Sequence, residues 1–356
     1  MGVFDKILRA EESLFKNVDA LDPQFVPKIV PFREEQQRAI EYAILPLFSD
    51  RNGKNLVLHG LPGVGKTVAC KKVLQELEDK TDEILPLYVN CWQKNTSYKV
   101  ALSICEQLGY RFTQNKKTDE LFDDVVKLLN KKKAVFVFDE IDKAEEFDFL
   151  YTLLEEVYRK AIILLTNFKS FLDELDDRIK SRLLPELVEF KPYTLDETKG
   201  ILKQRVEYAF HPNVWETDAF LEIAKKSAEL KDIRAGIQLL KDAGDKAEMK
   251  ASRKVTPEHA SEAIQKLEEM GVKGSTDLLD DDKVMMETIK KHSNTRIGEL
   301  YREYQDAGGD KTYKTFQRRM KNLEEQGYVA LTRQEGAGGN TTIVEYKEKT
   351  KRLTEF

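Results

Sequence analysis

The chain has 356 residues, 41% hydrophobic and 34% charged, with a formal net charge of −5. That composition excludes a disordered chain and a protein that wraps nucleic acid by bulk positive charge, so any nucleic-acid surface must be local. No apolar run is long enough to span a membrane and no signal-peptide pattern opens the chain, so an intracellular protein of two or three domains is expected.

Residues 1–192 alternate short β-rich runs with helical stretches. The candidate strands are NLVLHG, LPLYVNC, AVFVFDEI and AIILLTN, and they predict a parallel sheet covered on both faces. Between the first of these and an amphipathic run lies GLPGVGKT, Gly60 to Thr67, which fills the phosphate-loop pattern in full. Its glycines let backbone N–H groups turn inward around phosphates. Lys66 brings positive charge to the β- and γ-phosphates, Thr67 offers a hydroxyl to Mg²⁺, and the following helix adds its positive end. His59, beside the loop, reads as packed rather than catalytic. Cys70, Cys91 and Cys105 lack metal-ligand spacing and read as small buried residues in a reducing compartment.

The run KKAVFVFDEID supplies the second half of such a site. Asp139 can hold the magnesium shell and Glu140 can polarise an attacking water, while Asp142 reads as structural. Asn167, at the tip of AIILLTNF, can position water beside a γ-phosphate. Arg178 and Arg182 in LDDRIKSRLL are four apart and share a helix face. They form either a fork reaching the γ-phosphate of a neighbouring subunit or a salt-bridged surface.

Residues 193–273 read as helical throughout, opening at TLDETKGILKQRVEYAF with an N-cap threonine and early acids. Arg234, in LKDIRAGIQLL, starts a helix and can fold over a bound nucleotide. GVKGSTD has linker chemistry. Residues 277–356 read as three helices, in MMETIKKHSN, RIGELYREYQDAG and TYKTFQRRMKNLEEQG, followed by a hairpin of YVALTRQE and TTIVEYK. That is the pattern of a winged helix, whose third helix enters the major groove. Lys314, Arg318, Arg319 and Lys321 are its basic residues, and Tyr313, Thr315 and Gln317 can contact phosphates or base edges. Arg333, Gly338 and Asn340 at the hairpin can reach the backbone or minor groove. The acids at Asp280 to Asp282 and Glu324-Glu325 disfavour contact nearby, or form solvated faces.

The order VPKIVPFREEQQRAI, GLPGVGKT, FDEID, TNF, RIKSRLLPELVEFKPYT, ILKQRV, DIRAG and a C-terminal DNA-binding domain resembles the AAA+ ATPases. Within them it resembles the archaeal replication initiators related to eukaryotic origin-recognition and Cdc6-type proteins. The resemblance implies an α/β AAA+ base with a parallel sheet and phosphate loop (1–192), an all-α lid (193–273) and a winged-helix DNA-binding domain (277–356). It implies ATP or ADP between base and lid, with Gly63, Val64, Gly65, Lys66, Thr67 and Val68 on the phosphates and Mg²⁺. Asp139 and Glu140 become the Walker B pair, Asn167 the first sensor and Arg234 the second. Tyr193 and Arg205 match positions lining the nucleotide site, Pro31, Phe32 and Arg33 sit near the adenine, and Arg178 or Arg182 matches a finger. Two departures stand out: Lys231-Asp232 replaces the usual Gly-Asp, and Ala235 replaces a second arginine. They bear on hydrolysis more than on binding.

NCWQKNTSYKVALSICEQLG, Asn90 to Gly109, resembles the initiator-specific insertion that touches DNA. Lys94, Asn95, Thr96, Ser97, Tyr98 and Lys99 are its candidate phosphate ligands, with a capped amphipathic helix as the alternative, and Trp92 reads as core. The implied function is ATP-dependent binding of double-stranded origin DNA and recruitment of the replicative helicase, alongside paralogous initiator subunits and with no membrane. Hydrolysis would be slow and regulatory, in a cytoplasmic, nucleoid-associated protein. The alternative is a helicase loader or protein-remodelling ATPase whose winged helix docks proteins.

Overall fold

The apolar runs become strands because each of their faces finds a hydrophobic layer to meet. The computed structural model describes residues 13–168, 171–269, 280–309, 312–325, 329–334 and 341–346. Strands β1 (Leu56–His59), β2 (Ile84–Asn90), β3 (Lys133–Asp139), β4 (Lys160–Thr166) and β5 (Glu186–Glu189) form one sheet in the order β2-β3-β4-β1-β5, with every pairing parallel. β3 and β4 are buried along their whole length. Their side chains alternate between two cores: Phe136, Phe138, Ile162 and Leu164 on one face, Val135, Val137, Ile163 and Leu165 on the other. Four of the strands are those expected. β5 is a largely exposed edge strand, and its four residues carry only two apolar side chains, too few to show a period.

The strand order does more than build a core. β3, β4 and β1 are neighbours, so the residues that follow their C-terminal ends, Glu140, Asn167 and the Gly60–Thr67 loop, gather at one edge of the sheet.

Helices Leu195–Ala209, Thr217–Leu230, Ile233–Met249 and Pro257–Glu269 pack around Leu202, Ile223, Leu239, Leu240 and Ala243. The first begins with the expected N-cap threonine, Thr194, which forms a capping box with Glu197. Leu14, Phe15, Ala20 and Leu21 enter this same core. Phe15 forms a β-bridge with Phe210, their ring centroids 4.7 Å apart, and the Leu14 N–H donates to the Glu248 carboxylate at 2.7 Å. Gly244 makes room, since a Cβ there would lie 2.5 Å from the Phe15 ring. Residues 14–21, numerically part of the expected base span, therefore pack with the lid helices.

These elements form one compact unit, Met1–Thr276, and Asp277–Phe356 forms another. The second holds helices Asp280–Lys291, Ile297–Asp306 and Tyr313–Glu325 and a small antiparallel sheet, β6 (Thr295–Arg296), β8 (Thr341–Tyr346) and β7 (Val329–Gln334). Its core is its own: Met285, Ile289, Leu300, Tyr304, Phe316, Met320 and Val344. Three helices and a hairpin match the winged-helix pattern, and β6, two residues long, lies below what periodicity can reveal. All three cysteines are buried and unpaired with one another. Among the described residues no helix is long and apolar enough to cross a membrane.

Docking of the chain start carries lid stability. Phe15→Ala should cost about 3 kcal/mol, read as a lower midpoint in chemical denaturation. An unchanged midpoint would show that the segment adds nothing to the lid.

Candidate active site

The loop is shaped by what presses on it. Gly63 and Gly65 have φ of 76° and 90°, in the left-handed region where a Cβ is strained. A Cβ on Gly63 would lie 2.0 Å from Asp232 Oδ1, and one on Gly65 would lie 2.4 Å from the Tyr193 hydroxyl. Both glycines are therefore fixed twice, by backbone conformation and by close approach. The Lys66 ammonium is folded into the loop, donating to Gly60 O (2.6 Å), Leu61 O (3.0 Å) and Asn167 Oδ1 (3.0 Å). Burial pushes its pKa down to about 8, against the opposing pull of Asp139, Asp142 and Glu140. Its three acceptors are neutral, so a polyphosphate outcompetes them on charge.

Beneath the loop, Thr67 Oγ1 donates to Asp139 Oδ2 at 2.7 Å, and the Tyr88 hydroxyl donates to the same oxygen at 2.6 Å. Asp139 is 3% exposed. A hydroxyl and a carboxylate are hard oxygen donors that suit Mg²⁺. Among the described residues no group of three or more His, Cys, Asp or Glu can hold a metal by itself. The donor set thus fits a magnesium that shares its shell with nucleotide phosphates. Glu140 follows in a left-handed turn at φ 54°. Burial, and then the charges of Asp139 and Asp142, hold its carboxyl above the ordinary range. Asp142 is structural, as expected: its Oδ1 accepts from the Thr166 hydroxyl at 3.0 Å and the Asn167 N–H at 3.4 Å, fixing the tip of β4.

Of the residues expected near the adenine, Arg33 has a different occupation. It is 4% exposed and ties three segments together, with Nε to Val64 O (3.0 Å), Nη2 to Lys191 O (2.6 Å) and Nη1 to Phe32 O (2.9 Å). Its guanidinium lies 3.8 Å from the centroid of the Tyr193 ring. Arg33 is a buried clamp that fixes the loop from behind. Pro31 is half-buried, and Phe32 is 38% exposed with its ring packed against Gly200. Arg205, expected to line the nucleotide site, instead donates to Ala20 O (3.0 Å) and Phe25 O (3.2 Å), fastening the chain start to the lid.

Arg234 lies where a second sensor is expected. The Ile233 N–H reaches Gly63 O at 3.3 Å, so the lid helix begins against the loop. Asp232 caps that helix and grips Arg234 through both carboxylate oxygens, at 3.0 Å and 2.6 Å. Arg234 acts electrostatically on both Lys66 and Glu140. Lys231 sits at φ 53°, the conformation the expected glycine would adopt without strain. Arg178 and Arg182 do share a face, both guanidinium groups lying over the Tyr151 ring. Each is paired within the chain, Arg178 with Asp176 at 3.0 Å and Arg182 with Glu155.

The stretch after β2 is mostly occupied. The Asn95 side chain bonds Glu145 and Lys99, the Thr96 hydroxyl caps the Ser97–Gln107 helix, and Ser97 is buried with its N–H on Glu146 at 2.6 Å. Asn95, Thr96 and Ser97 are therefore structural, next to two acids that repel phosphate. Tyr98 and Lys99 are exposed and Lys94 is half-exposed. Trp92 is not core: it is 64% exposed, turned out by the Asn90 side chain accepting its N–H at 2.9 Å. The Lys143 ammonium lies 5.5 Å from its ring centroid.

In the second unit, Phe316, Met320 and Leu323 bury one face of the Tyr313–Glu325 helix. Tyr313, Gln317 and Arg318 are exposed on the other, with Thr315 and Arg319 partly so. Lys314 and Arg333 lie in the third helix and in β7, while Gly338 and Asn340 lie outside the described residues. A cleft of about 370 Å³ beside this helix is lined by Arg296, Arg302, Tyr313 and Gln317. Its two arginines escape the sequence reading because RIGELYREY shows only an amphipathic period.

Comparison with known proteins places this geometry among relatives. A family model described as AAA domain matches residues 50–179, and one described as Cdc6 AAA+ ATPase-type lid domain matches residues 199–265. The chain is 30% identical to ORC1-type DNA replication protein 2 of Methanosarcina acetivorans, over 96% of this chain and 95% of that one. It is 33% identical to ORC1-type DNA replication protein 1 of Sulfurisphaera tokodaii, over 75% and 71%. Among solved structures it is similar to the Aeropyrum pernix ORC1 protein in complex with DNA, with a TM-score of 0.67, 27% identity and 94% of each chain covered.

The Arg33 clamp has a direct test. Arg33→Lys keeps the charge but cannot span Val64, Phe32 and Lys191 with a planar fork. Affinity for ATP should fall about tenfold, the loss of roughly one charged hydrogen bond. Unchanged affinity in a titration would remove the clamp from the account.

Proposed function

The chain belongs to the family of ORC1-type DNA replication proteins, and we propose that it is an ATP-dependent initiator that holds double-stranded origin DNA through its winged helix. The single observation that carries the nucleotide half is the loop gripped from two sides: Thr67 on Asp139 beneath, Asp232 and Ile233 of the lid against Gly63. The AAA domain and its Cdc6-type lid place the chain among AAA+ ATPases.

In this reading Lys66 exchanges the Gly60, Leu61 and Asn167 oxygens for those of the β- and γ-phosphates. Thr67 and Asp139 would hold Mg²⁺, which neutralises phosphate charge when bound. Water attacks the γ-phosphorus, Asn167 orients it, and Glu140 takes its proton as ADP leaves. Glu140 suits that role because its carboxyl is held above the ordinary range, nearer to neutrality. Arg234 moves from Asp232 to the γ-phosphate, so the start of the Ile233–Met249 helix responds to whether that phosphate is present. With Ala235 in place of a second arginine, turnover is slow and works as a timer. Arg178 or Arg182, released from Asp176 or Glu155, serves a neighbouring subunit's nucleotide.

The DNA half is supported by the exposed face of the Tyr313–Glu325 helix and by the relative solved in complex with DNA. Tyr313, Lys314, Thr315, Gln317, Arg318 and Arg319 meet the duplex, and Arg333, Gly338 and Asn340 extend the contact. Lys94, Tyr98 and Lys99 offer a second contact in the first unit. Paralogous subunits and the replicative helicase are the protein partners, in a nucleoid-associated protein.

Duplex affinity measured by fluorescence anisotropy should fall steeply with salt through counterion release. Lys314→Ala, Arg318→Ala and Arg319→Ala together should lower the log–log salt slope by about 2–3. Negligible duplex affinity at low salt would favour a remodelling ATPase whose winged helix docks proteins. Glu140→Gln should bind ATP normally and hydrolyse it at least ~100-fold more slowly. Near-normal hydrolysis would dismiss Glu140 as the base.

A further inference from the structure

The sequence gives no reason to single out Tyr88, yet its hydroxyl lies on the most consequential carboxylate of the site. β2 is the edge strand on the β3 side of the sheet, paired so that Asn90 is in register with Asp139. Residues two apart on a strand share a face, so Tyr88 lies on the same side as Asn90, one repeat earlier. From there the phenol donates to Asp139 Oδ2 at 2.6 Å, the oxygen that also accepts from Thr67 Oγ1 at 2.7 Å.

The phenol is itself held. Its ring packs against the core that contains Ala69, Cys70 and Val73 of the Lys66–Lys80 helix, and the Lys71 ammonium lies 4.8 Å from its centroid. The edge-strand backbone is clasped at the same residue. The Tyr88 N–H donates to Gln107 Oε1 at 2.9 Å, and Gln107 Nε2 donates to Tyr88 O at 3.0 Å. A phenylalanine would keep the ring packing and the clasp and would lose only the hydroxyl.

The geometry points to Tyr88 as a positioning residue of the magnesium site, acting through Asp139. This inference rests on the reading that Thr67 and Asp139 hold Mg²⁺. With one hydroxyl fixing Oδ2 from the β2 side, rotation of the Asp139 carboxylate is restrained, and Asp139 would be held in place for the cation it ligates with Thr67. Groups that orient a metal's ligands set its affinity, and their loss costs about 10–100-fold.

The test uses the full-length protein and a fluorescent ATP analogue, titrated with MgCl₂ at fixed nucleotide. Tyr88→Phe should raise the magnesium concentration at the midpoint about tenfold and leave metal-free affinity for the analogue within about twofold. Adding Tyr88→Phe to Asp139→Asn should shift the midpoint no further than Asp139→Asn alone, because both act on one carboxylate. An unchanged or lowered midpoint, an additive double variant, or a parallel loss of metal-free affinity would each overturn the positioning role. Wild-type protein that binds the analogue with no dependence on magnesium would overturn the metal reading itself, and the role of Tyr88 with it.

Discussion

Everything at this site depends on how closely the lid approaches the phosphate loop. Asp232 comes so near Gly63 that no Cβ fits between them. That one carboxylate caps the Ile233–Met249 helix, grips Arg234 and touches the loop. A helix start, an arginine and the phosphate turn thus share a single side chain. The Arg234 backbone N–H makes the cap on Asp232 Oδ1 at 2.9 Å, and its guanidinium holds the same carboxylate. The Ile233–Met249 helix meets the loop directly, because the N–H of its first residue donates to Gly63 O.

The base side of the loop is stiff by comparison. Arg33 holds Val64 from behind, and Tyr193 lies across Gly65 and beneath the Arg33 guanidinium. A buried guanidinium costs desolvation, and it is tolerated here because each of its bonds ends on a backbone carbonyl that would otherwise need a partner. Stiffness extends to the loops after β2 and β3. The Cys91 N–H reaches Asp139 O at 2.8 Å, and Asn95 exchanges bonds with Glu145 through backbone and side chain. The stretch proposed to reach DNA in the first unit is therefore stitched to the stretch that follows Asp139 and Glu140.

Most of the sheet and the whole phosphate loop were legible in the sequence, because their signals are local. A fully buried strand is a continuous apolar run, and a phosphate loop is a contiguous pattern. The roles of Arg33, Arg205 and Tyr88 were not legible in the same way. Each is decided by partners distant in the chain: Arg33 by Lys191, Arg205 by Ala20 and Phe25, Tyr88 by Asp139. Trp92 was misplaced for a related reason. An aromatic after an apolar strand reads as core until the Asn90 turn, which has no periodic signature, swings it out. Asn95, Thr96 and Ser97 read either as phosphate ligands at a helix start, by resemblance to an insertion that touches DNA, or as the start of a capped helix. Whether such residues bind a ligand or bind the fold depends on Glu145 and Glu146, some fifty residues away.

Hydrogen exchange on the full-length protein, with and without ATP and magnesium, tests the central claim most directly. If the lid senses nucleotide at the Gly63–Asp232 contact, amides of the loop should gain protection while those at 231–236 change in the same titration. Protection confined to the loop, with the start of the lid helix unaltered, would contradict the account.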